Sequence, residues 1–574
     1  MSPSIKGAVE RALVSGYQLT PEAFELLGHF GDPAAAIDSL LSSFEVSSSK
    51  PIAIEASHLR PLLDRQAAQD RSAPMEGAAP QKDAAPNTPA GSYSWPSKRG
   101  GTGSARLRAP TRRQATMPAP AQPPTISPCS ASPSHSPPRP STFFGGNVAV
   151  ISGSEDRRIG GTIEDFKQYF LDRYSRMESI LRQRADLRDA TSVSNLPHGE
   201  RWQKVKVIGM VASKRDFKDG SSVVELEDTR DSVRVSFKSD DALKKKVTRL
   251  LNDEVVCISG ATKTGRTIIA NDVIWPDVSY RQRSVHMDAP AYAVLTSDIH
   301  IGSKTFMREN FESFLRWLNC EEGEGRSVRL AEQVKYLIIA GDLVDGVGIY
   351  PNQEEELFIS DLNAQYEQAA EYLAMVPERI RIIVIPGNHD ACRPTLPTPP
   401  MYREYAQPVY DLKNVVMLGD PATVNIEGTT FLLTHGRSLD DAIPLLPGCD
   451  FKTPQNAMVE LLKSRHLAPS FGEKTPLAPE ASDRLIIDPV PDVFHAGHVH
   501  VEGVANYRGI TVVNSGTWQA QTKFQLSAGI VPKPCIAPIL DLMSGKVIEM
   551  NFNFPTPPFT PGDPRPPAVT PATT

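Results

Sequence analysis

Asp298 and His300 stand two residues apart where an apolar run, YAVL, gives way to polar chain. A strand ending there would aim both side chains into the crevice at the carboxyl edge of an α/β sheet, where such proteins bind their ligands. A bare Asp-x-His also arises without any chemistry, so it gains meaning only from its company. That company is present downstream. The run 334–340 (VKYLIIA) leads into Gly341-Asp342, 380–385 (IRIIVI) into Pro386-Gly387-Asn388-His389-Asp390, 429–434 (TTFLLT) into His435-Gly436, and 492–495 (DVFH) into Gly497-His498-Val499-His500. With His389 set apart, two aspartates, one asparagine and four histidines can fill two adjacent metal sites with one carboxylate shared. Mixed nitrogen and oxygen donors without thiolate suit manganese, iron or zinc. Beside each ligand a glycine lets the backbone turn sharply and approach an ion closely. His435 and His495 each have the alternative of a satisfied core histidine, and for His495, which faces back into its strand, that is the reading taken.

These side chains need a sheet to present them, and helices over 308–319 and 361–375 separate the first strands as an α/β layer requires. The fold class expected for 286–555 is therefore α/β, two sheets flanked by helices. Upstream, 201–285 reads as five short strands (205–211, 223–227, 233–237, 254–259 and 267–273) with a helix over 242–251 between the third and fourth. That is the order of an OB barrel, whose face often binds single-stranded nucleic acid; with few aromatics on these strands, a purely protein-contacting barrel is an equal alternative. Residues 146–200 read as a connecting helix, opened by a Thr162/Asp165 capping box with apolar residues at Phe166, Phe170, Tyr174, Met177 and Leu181. Residues 1–70 read as a small helical domain, with Thr20-Pro21 and Asp32-Pro33 as helix starts, suited to docking. Between them, 71–145 reads as a disordered Pro/Ser/basic linker, because 91–140 holds eleven prolines and seven Lys or Arg with no acidic residue. Residues 556–574 read as a disordered Pro-rich tail.

At 574 residues the chain exceeds one core, and its net charge of −6 excludes bulk basicity as a route to nucleic acid. The six cysteines have no CxxC spacing, which argues against a disulfide framework or zinc ribbon and fits a reducing cytoplasm. The N-terminus lacks an apolar signal core, and no run reaches the 18 or so apolar residues of a membrane span. A soluble, cytoplasmic protein with no membrane partner is the expectation.

The motifs DIH, GDLVD, GNHD, THG and GHVH resemble those of the calcineurin-like metallophosphoesterases. More closely, 292–522 is similar to the small subunits of archaeal family D DNA polymerases, a likeness that extends to DGVGIYPNQEEEL (345–357), HGRSLDD (435–441) and RHLAPSFGEKTPLAPE (465–480). The barrel and the long helix sit where those subunits have them, so the resemblance covers about 150–555. It implies that Asp298, His300 and His500 hold one divalent ion and Asn388, His435 and His498 the other, with Asp342 bridging; manganese is the first expectation, iron, zinc and magnesium the alternatives. It implies for His389 a catalytic role, orienting the scissile phosphate or protonating the leaving oxygen. Asp345 and Asp390 are either orienting partners or loop caps. Related eukaryotic small subunits have lost the ligands and act as scaffolds; here none is missing. The resemblance thus implies a two-metal 3′-to-5′ exonuclease acting on DNA, especially single-stranded 3′ ends, paired with a separate large polymerase subunit. A non-catalytic scaffold and a phosphodiesterase acting on small molecules are the alternatives.

Overall fold

The computed structural model describes residues 148–153, 159–282, 289–527 and 529–554, together with short stretches within 8–63. The expected linker 71–145 lies outside the described residues, as does the tail 556–574. The chain divides into two compact units, 1–128 and 129–574. In the first, helix Pro33–Val46 starts where expected, with the Asp32 carboxylate accepting from the amides of Ala34 and Ala35 at 3.1 Å. Its Ile37 and Leu40 are buried in one small core with Ala23 and Leu27.

The first described element of the second unit is a strand, β1 (Val148–Gly153), followed by helix α1 (Ile163–Arg182). The capping box forms: Asp165 N–H donates to Thr162 Oγ1 at 3.2 Å, and Thr162 N–H to Asp165 Oδ2 at 2.8 Å. Strands β2 (Gln203–Asp216), β3 (Ser222–Glu227), β4 (Ser232–Phe237), β5 (Val255–Thr262) and β6 (Thr267–Ile274) close into a barrel in the order β2-β3-β4-β6-β5 and back to β2. Closure is possible because the long β2 pairs with β5 through its first half and with β3 through its second. Of these five strands only β4 and β6 pair in parallel, which the intervening helix α2 (Asp241–Arg249) allows by carrying the chain across. Alternate residues such as Val207, Val224, Val235, Val256 and Ile268 fill the interior. Tyr174, Met177 and Leu181 of α1 pack outside against Ile208, Val255 and Cys257.

Two six-stranded sheets form the rest. The first runs β10-β9-β8-β7-β16-β17, from β7 (Tyr292–Thr296), β8 (Val334–Ala340), β9 (Arg381–Ile385), β10 (Val415–Met417), β16 (Ile536–Asp541) and β17 (Val547–Asn551). The second runs β14-β15-β13-β12-β11-β1, from β11 (Ala422–Ile426), β12 (Thr429–Leu433), β13 (Val493–Ala496), β14 (Gly503–Tyr507) and β15 (Ile510–Asn514). Because neighbouring residues of a strand face opposite ways, the inner strands here, such as β8 and β9, are apolar on both sides. Leu295, Ile338 and Ile383 meet Val424, Phe431 and Val493 between the sheets. Val294, Leu337 and Ile382 face helices α3 (Arg308–Leu318) and α5 (Leu362–Ala374), beside the shorter α4 (Arg326–Glu332) and α6 (Arg403–Tyr410). Leu432, Phe494 and Val512 face α7 (Leu439–Leu445) and α8 (Pro454–Ser464). The result is helix, sheet, sheet, helix.

One boundary differs from the sequence reading. Residues 148–153 fall within the connecting helix expected over 146–200, yet β1 is an edge strand of the second sheet, antiparallel to β11 from Val148↔Ile426 to Gly153↔Ala422. The connecting segment therefore begins by completing the sheet, and only 163–182 is the long helix.

Candidate metal centre

Parallel strands of both sheets end at one edge, and each delivers a side chain there. Asp298 and His300 follow β7, Asp342 follows β8, Asn388 and His389 follow β9, His435 follows β12, and His498 and His500 follow β13. The turns are tight. Asp298, His300, Asp342, His498 and His500 all have positive φ, between 51° and 72°, a conformation that costs a non-glycine residue roughly 1 kcal/mol or more. At Gly387 a side chain is impossible, since a Cβ would overlap the Asp342 carboxylate. Close approach of the β8 and β9 ends thus depends on that glycine.

His300 Nε2 and His500 Nε2 lie 3.0 Å apart, and His500 Nε2 is 3.3 Å from Asp298 Oδ1. On the other side, His435 Nε2 is 3.3 Å from Asp342 Oδ2, 3.1 Å from Asn388 Oδ1 and 3.2 Å from His498 Nδ1. Asp342 connects the halves, its Oδ2 lying 3.8 Å from His300 Nε2. Three overlapping groups, Asp298/His300/His500, His300/Asp342/His389 and Asp298/Asp342/His435, each bring potential donors within 4.8 Å of one another.

The outer nitrogens of three rings are held so that the inner ones face the centre. His300 Nδ1 is 3.0 Å from Asp345 Oδ1, His435 Nδ1 donates to Ala340 O at 2.8 Å, and His498 Nε2 is 3.0 Å from Asp440 Oδ2. This is how metal-binding imidazoles are usually oriented. His500 differs, its Nδ1 facing the Gln525 amide nitrogen at 2.8 Å. Among the described residues, every ion pair of Asp298 and Asp342 is to a histidine, so no Lys or Arg neutralises these buried carboxylates. Burial works against their ionised forms, yet the neighbouring imidazoles outweigh it: His500 holds Asp298 below its ordinary range, and His435 and His389 hold Asp342 well below. Burial also opposes His435, but Asp342 raises it to about 10. A buried, carboxylate-rich cluster with inward-facing imidazoles and no fixed cation is a donor set that fits divalent ions.

The structure brings together every residue the sequence singles out for metal and for catalysis. His389 sits beside the cluster: its backbone N–H donates to Asp342 Oδ1 at 2.9 Å, and its Nδ1 is 2.8 Å from Asp345 O, which can only accept. The ring proton is therefore on Nδ1, and Nε2 is the nitrogen left for other work. Burial lowers its pKa. Asp345 bonds His300, Gln353 and Gln519. Asp390 accepts instead from the amides of Gly387, Leu343 and Val344 and makes a turn cap, its carboxyl pushed up to about 7 by burial and by Asp342. His495 points away, bonding Ser515 Oγ at 3.0 Å inside the sheet. Asp440 does not stand out in the sequence although it lies within HGRSLDD; two consecutive aspartates after a serine read equally as a helix start.

A family model for the B subunits of DNA polymerases alpha and epsilon matches residues 293–502. The chain is 42% identical over 400 residues to the DNA polymerase II small subunit of Pyrococcus horikoshii, covering 70% of this chain and 64% of that one. It therefore spans just under two thirds of that relative. It is 42% identical over 392 residues to the DNA polymerase II small subunit of Archaeoglobus fulgidus, covering 68% and 78%. To the DNA polymerase II small subunit of Halobacterium salinarum it is 37% identical over 558 residues, covering 96% of this chain and 100% of that one.

Proposed function

The chain belongs to the family of archaeal DNA polymerase II small subunits, and from that premise we propose that it is a two-metal 3′-to-5′ exonuclease, hydrolysing DNA phosphodiester bonds in support of a separate large polymerase subunit. The observation that carries this reading is the convergence of Asp298, His300, Asp342, Asn388, His435, His498 and His500 into one cluster at the strand ends. A scaffold has no use for five ligand positions held at positive φ; such strain persists where side-chain placement matters.

In this reading Asp298, His300 and His500 hold one divalent cation and Asn388, His435 and His498 the other, with Asp342 shared. Manganese suits the donors best, with iron, zinc and magnesium as alternatives. Bound there, such ions supply charge neutralisation on the phosphoryl oxygens and acidify water. His389, its Nδ1–H held by Asp345 O, orients the scissile phosphate or, as the imidazolium that also carries a proton on Nε2, protonates the leaving oxygen. The barrel is an OB fold, which its closed strand order and single parallel pair support. Among the described residues no helix is long and apolar enough to cross a membrane, and the partners are the large subunit and single-stranded 3′ ends.

A side-by-side assay separates this from a small-molecule phosphodiesterase: purified chain with manganese is offered aryl phosphodiesters and end-labelled single-stranded DNA. The expected result is preferential DNA cleavage. Efficient turnover of the aryl esters with DNA untouched would overturn the proposal.

A further inference from the structure

The cavity over the metal centre, about 280 Å³, is charged on its floor but not on all its walls: Ile349, Tyr350, Phe451 and Ile530 also line it. A bare phosphate needs only the floor. The apolar wall nearest the chemistry belongs to the stretch 345–357, whose sequence is distinctive yet supplies no metal ligand. It is rigidly held. Gln365, fully buried, takes both backbone groups of Gly346, at 2.8 and 3.1 Å. Gln353, also buried, accepts from Ile349 N–H at 2.8 Å and donates to Asp345 O at 2.8 Å. Tyr350 is pinned by its hydroxyl to Glu356 Oε2 at 3.1 Å, and its ring centroid lies 6.2 Å from that of His389. An aromatic ring thus stands at a fixed distance from the phosphate-handling histidine, half-buried, with a partly exposed isoleucine beside it.

The charge around this wall says which part of a DNA strand it faces. Glu354, Glu355 and Glu356 lie in the turn Gln353–Glu356 that follows, outside the cavity, with Glu356 bonded to the Tyr350 hydroxyl, and these carboxylates repel a phosphate backbone continuing past Tyr350. A 3′-terminal nucleoside carries no phosphate beyond the scissile one, so it alone can lie on this side. We propose, on the exonuclease reading above, that Tyr350 stacks the base of the 3′-terminal nucleotide, making it a positioning and specificity-determining residue that selects an unpaired strand end.

The test uses single-stranded DNA with 2-aminopurine at either end and a non-hydrolysable terminal linkage, bound to the full chain in manganese. The 3′ probe is expected to be quenched by the parent and by Tyr350→Phe. Tyr350→Ala should lose that quenching and bind roughly 5- to 150-fold more weakly, the range for one stacked base, with metal content unchanged. The 5′ probe should respond equally in all three. Absence of 3′ quenching in the parent, or its survival in Tyr350→Ala, overturns the proposal. Failure of the exonuclease reading looks different: the 3′ probe is quenched in the parent while an ordinary phosphodiester end stays uncut.

Discussion

His300 Nε2 faces His500 Nε2 across 3.0 Å, with Asp298 Oδ1 3.3 Å from the latter. Two neutral imidazoles can share one proton in that geometry, but with a buried carboxylate alongside, a divalent cation satisfies all three groups at once. Metal binding should therefore stabilise the fold. With manganese in excess of its Kd by about 100-fold, stability should rise by about 2.7 kcal/mol per site, read as a higher Tm that chelation reverses.

Asp342 lies between the two halves of the cluster, its Oδ2 3.8 Å from His300 Nε2 and 3.3 Å from His435 Nε2. Asp342→Ala should empty both sites, whereas His500→Ala should weaken mainly one. Counting bound metal per chain by elemental analysis checks this; two ions retained in Asp342→Ala would show that it is no bridge.

His389 touches the cluster through its backbone, and its Nδ1 is committed to Asp345 O. His389→Ala should slow cleavage by roughly 10²–10⁴-fold, as for loss of a general acid, while metal content and single-strand affinity stay near the parent values. A lost ion would make His389 a ligand instead.

The candidate site was legible in the sequence because the residues brought together there are polar side chains at the ends of apolar strands, a local pattern that needs no knowledge of partners. The barrel was legible for the same reason, its strands and helix each bounded by turn residues. What long-range pairing decides was not. β1 is short and joins β11 from far along the chain, so VAVIS offers no cue to which sheet it joins. Positive φ at Asp298, His300, Asp342, His498 and His500 is likewise silent in residue type: the neighbouring glycines suggest tight turns, but these candidate ligands themselves carry them. The orienting groups Gln353, Gln519 and Gln525 are ordinary surface residue types whose burial only the fold creates, and Asp440, still partly exposed, is marked out only by its contact with His498.

The placement of β1 alters where the chain can be shortened. A chain starting at Asn147 should keep cleavage activity, since every candidate ligand and orienting group named above follows it. One starting at Gly160 loses β1 and the ladder along β11, at about 1 kcal/mol per lost hydrogen bond. Its Tm should fall clearly. Equal Tm values for the two chains would mean β1 contributes nothing to the sheet.

Arg173 of α1 reaches the stretch 465–487, donating from Nε to Asp483 Oδ2 at 2.7 Å, while His466 Nε2 lies 2.8 Å from the same oxygen. All three are buried. Burial opposes the Asp483 carboxylate, but His466 and Arg173 outweigh it and hold the group far below its ordinary range. The folded value is thus below the unfolded one, so the contribution is complete above about pH 4, the unfolded value, and fades as acid carries the pH down through the folded one. Asp483→Asn should cost roughly 3–5 kcal/mol at neutral pH by stranding Arg173, with the gap to the parent narrowing below about pH 4. Denaturant unfolding at pH 7 and pH 3 checks both; a pH-independent difference would contradict the network's role.

The most direct measurement is the length of products released from single-stranded DNA labelled at its 5′ end, with manganese present and the large subunit absent. The expected result is a ladder shortening one nucleotide at a time from the 3′ end, abolished by chelation and by Asp342→Ala. Intact DNA in the presence of a chain carrying its full complement of metal would contradict it.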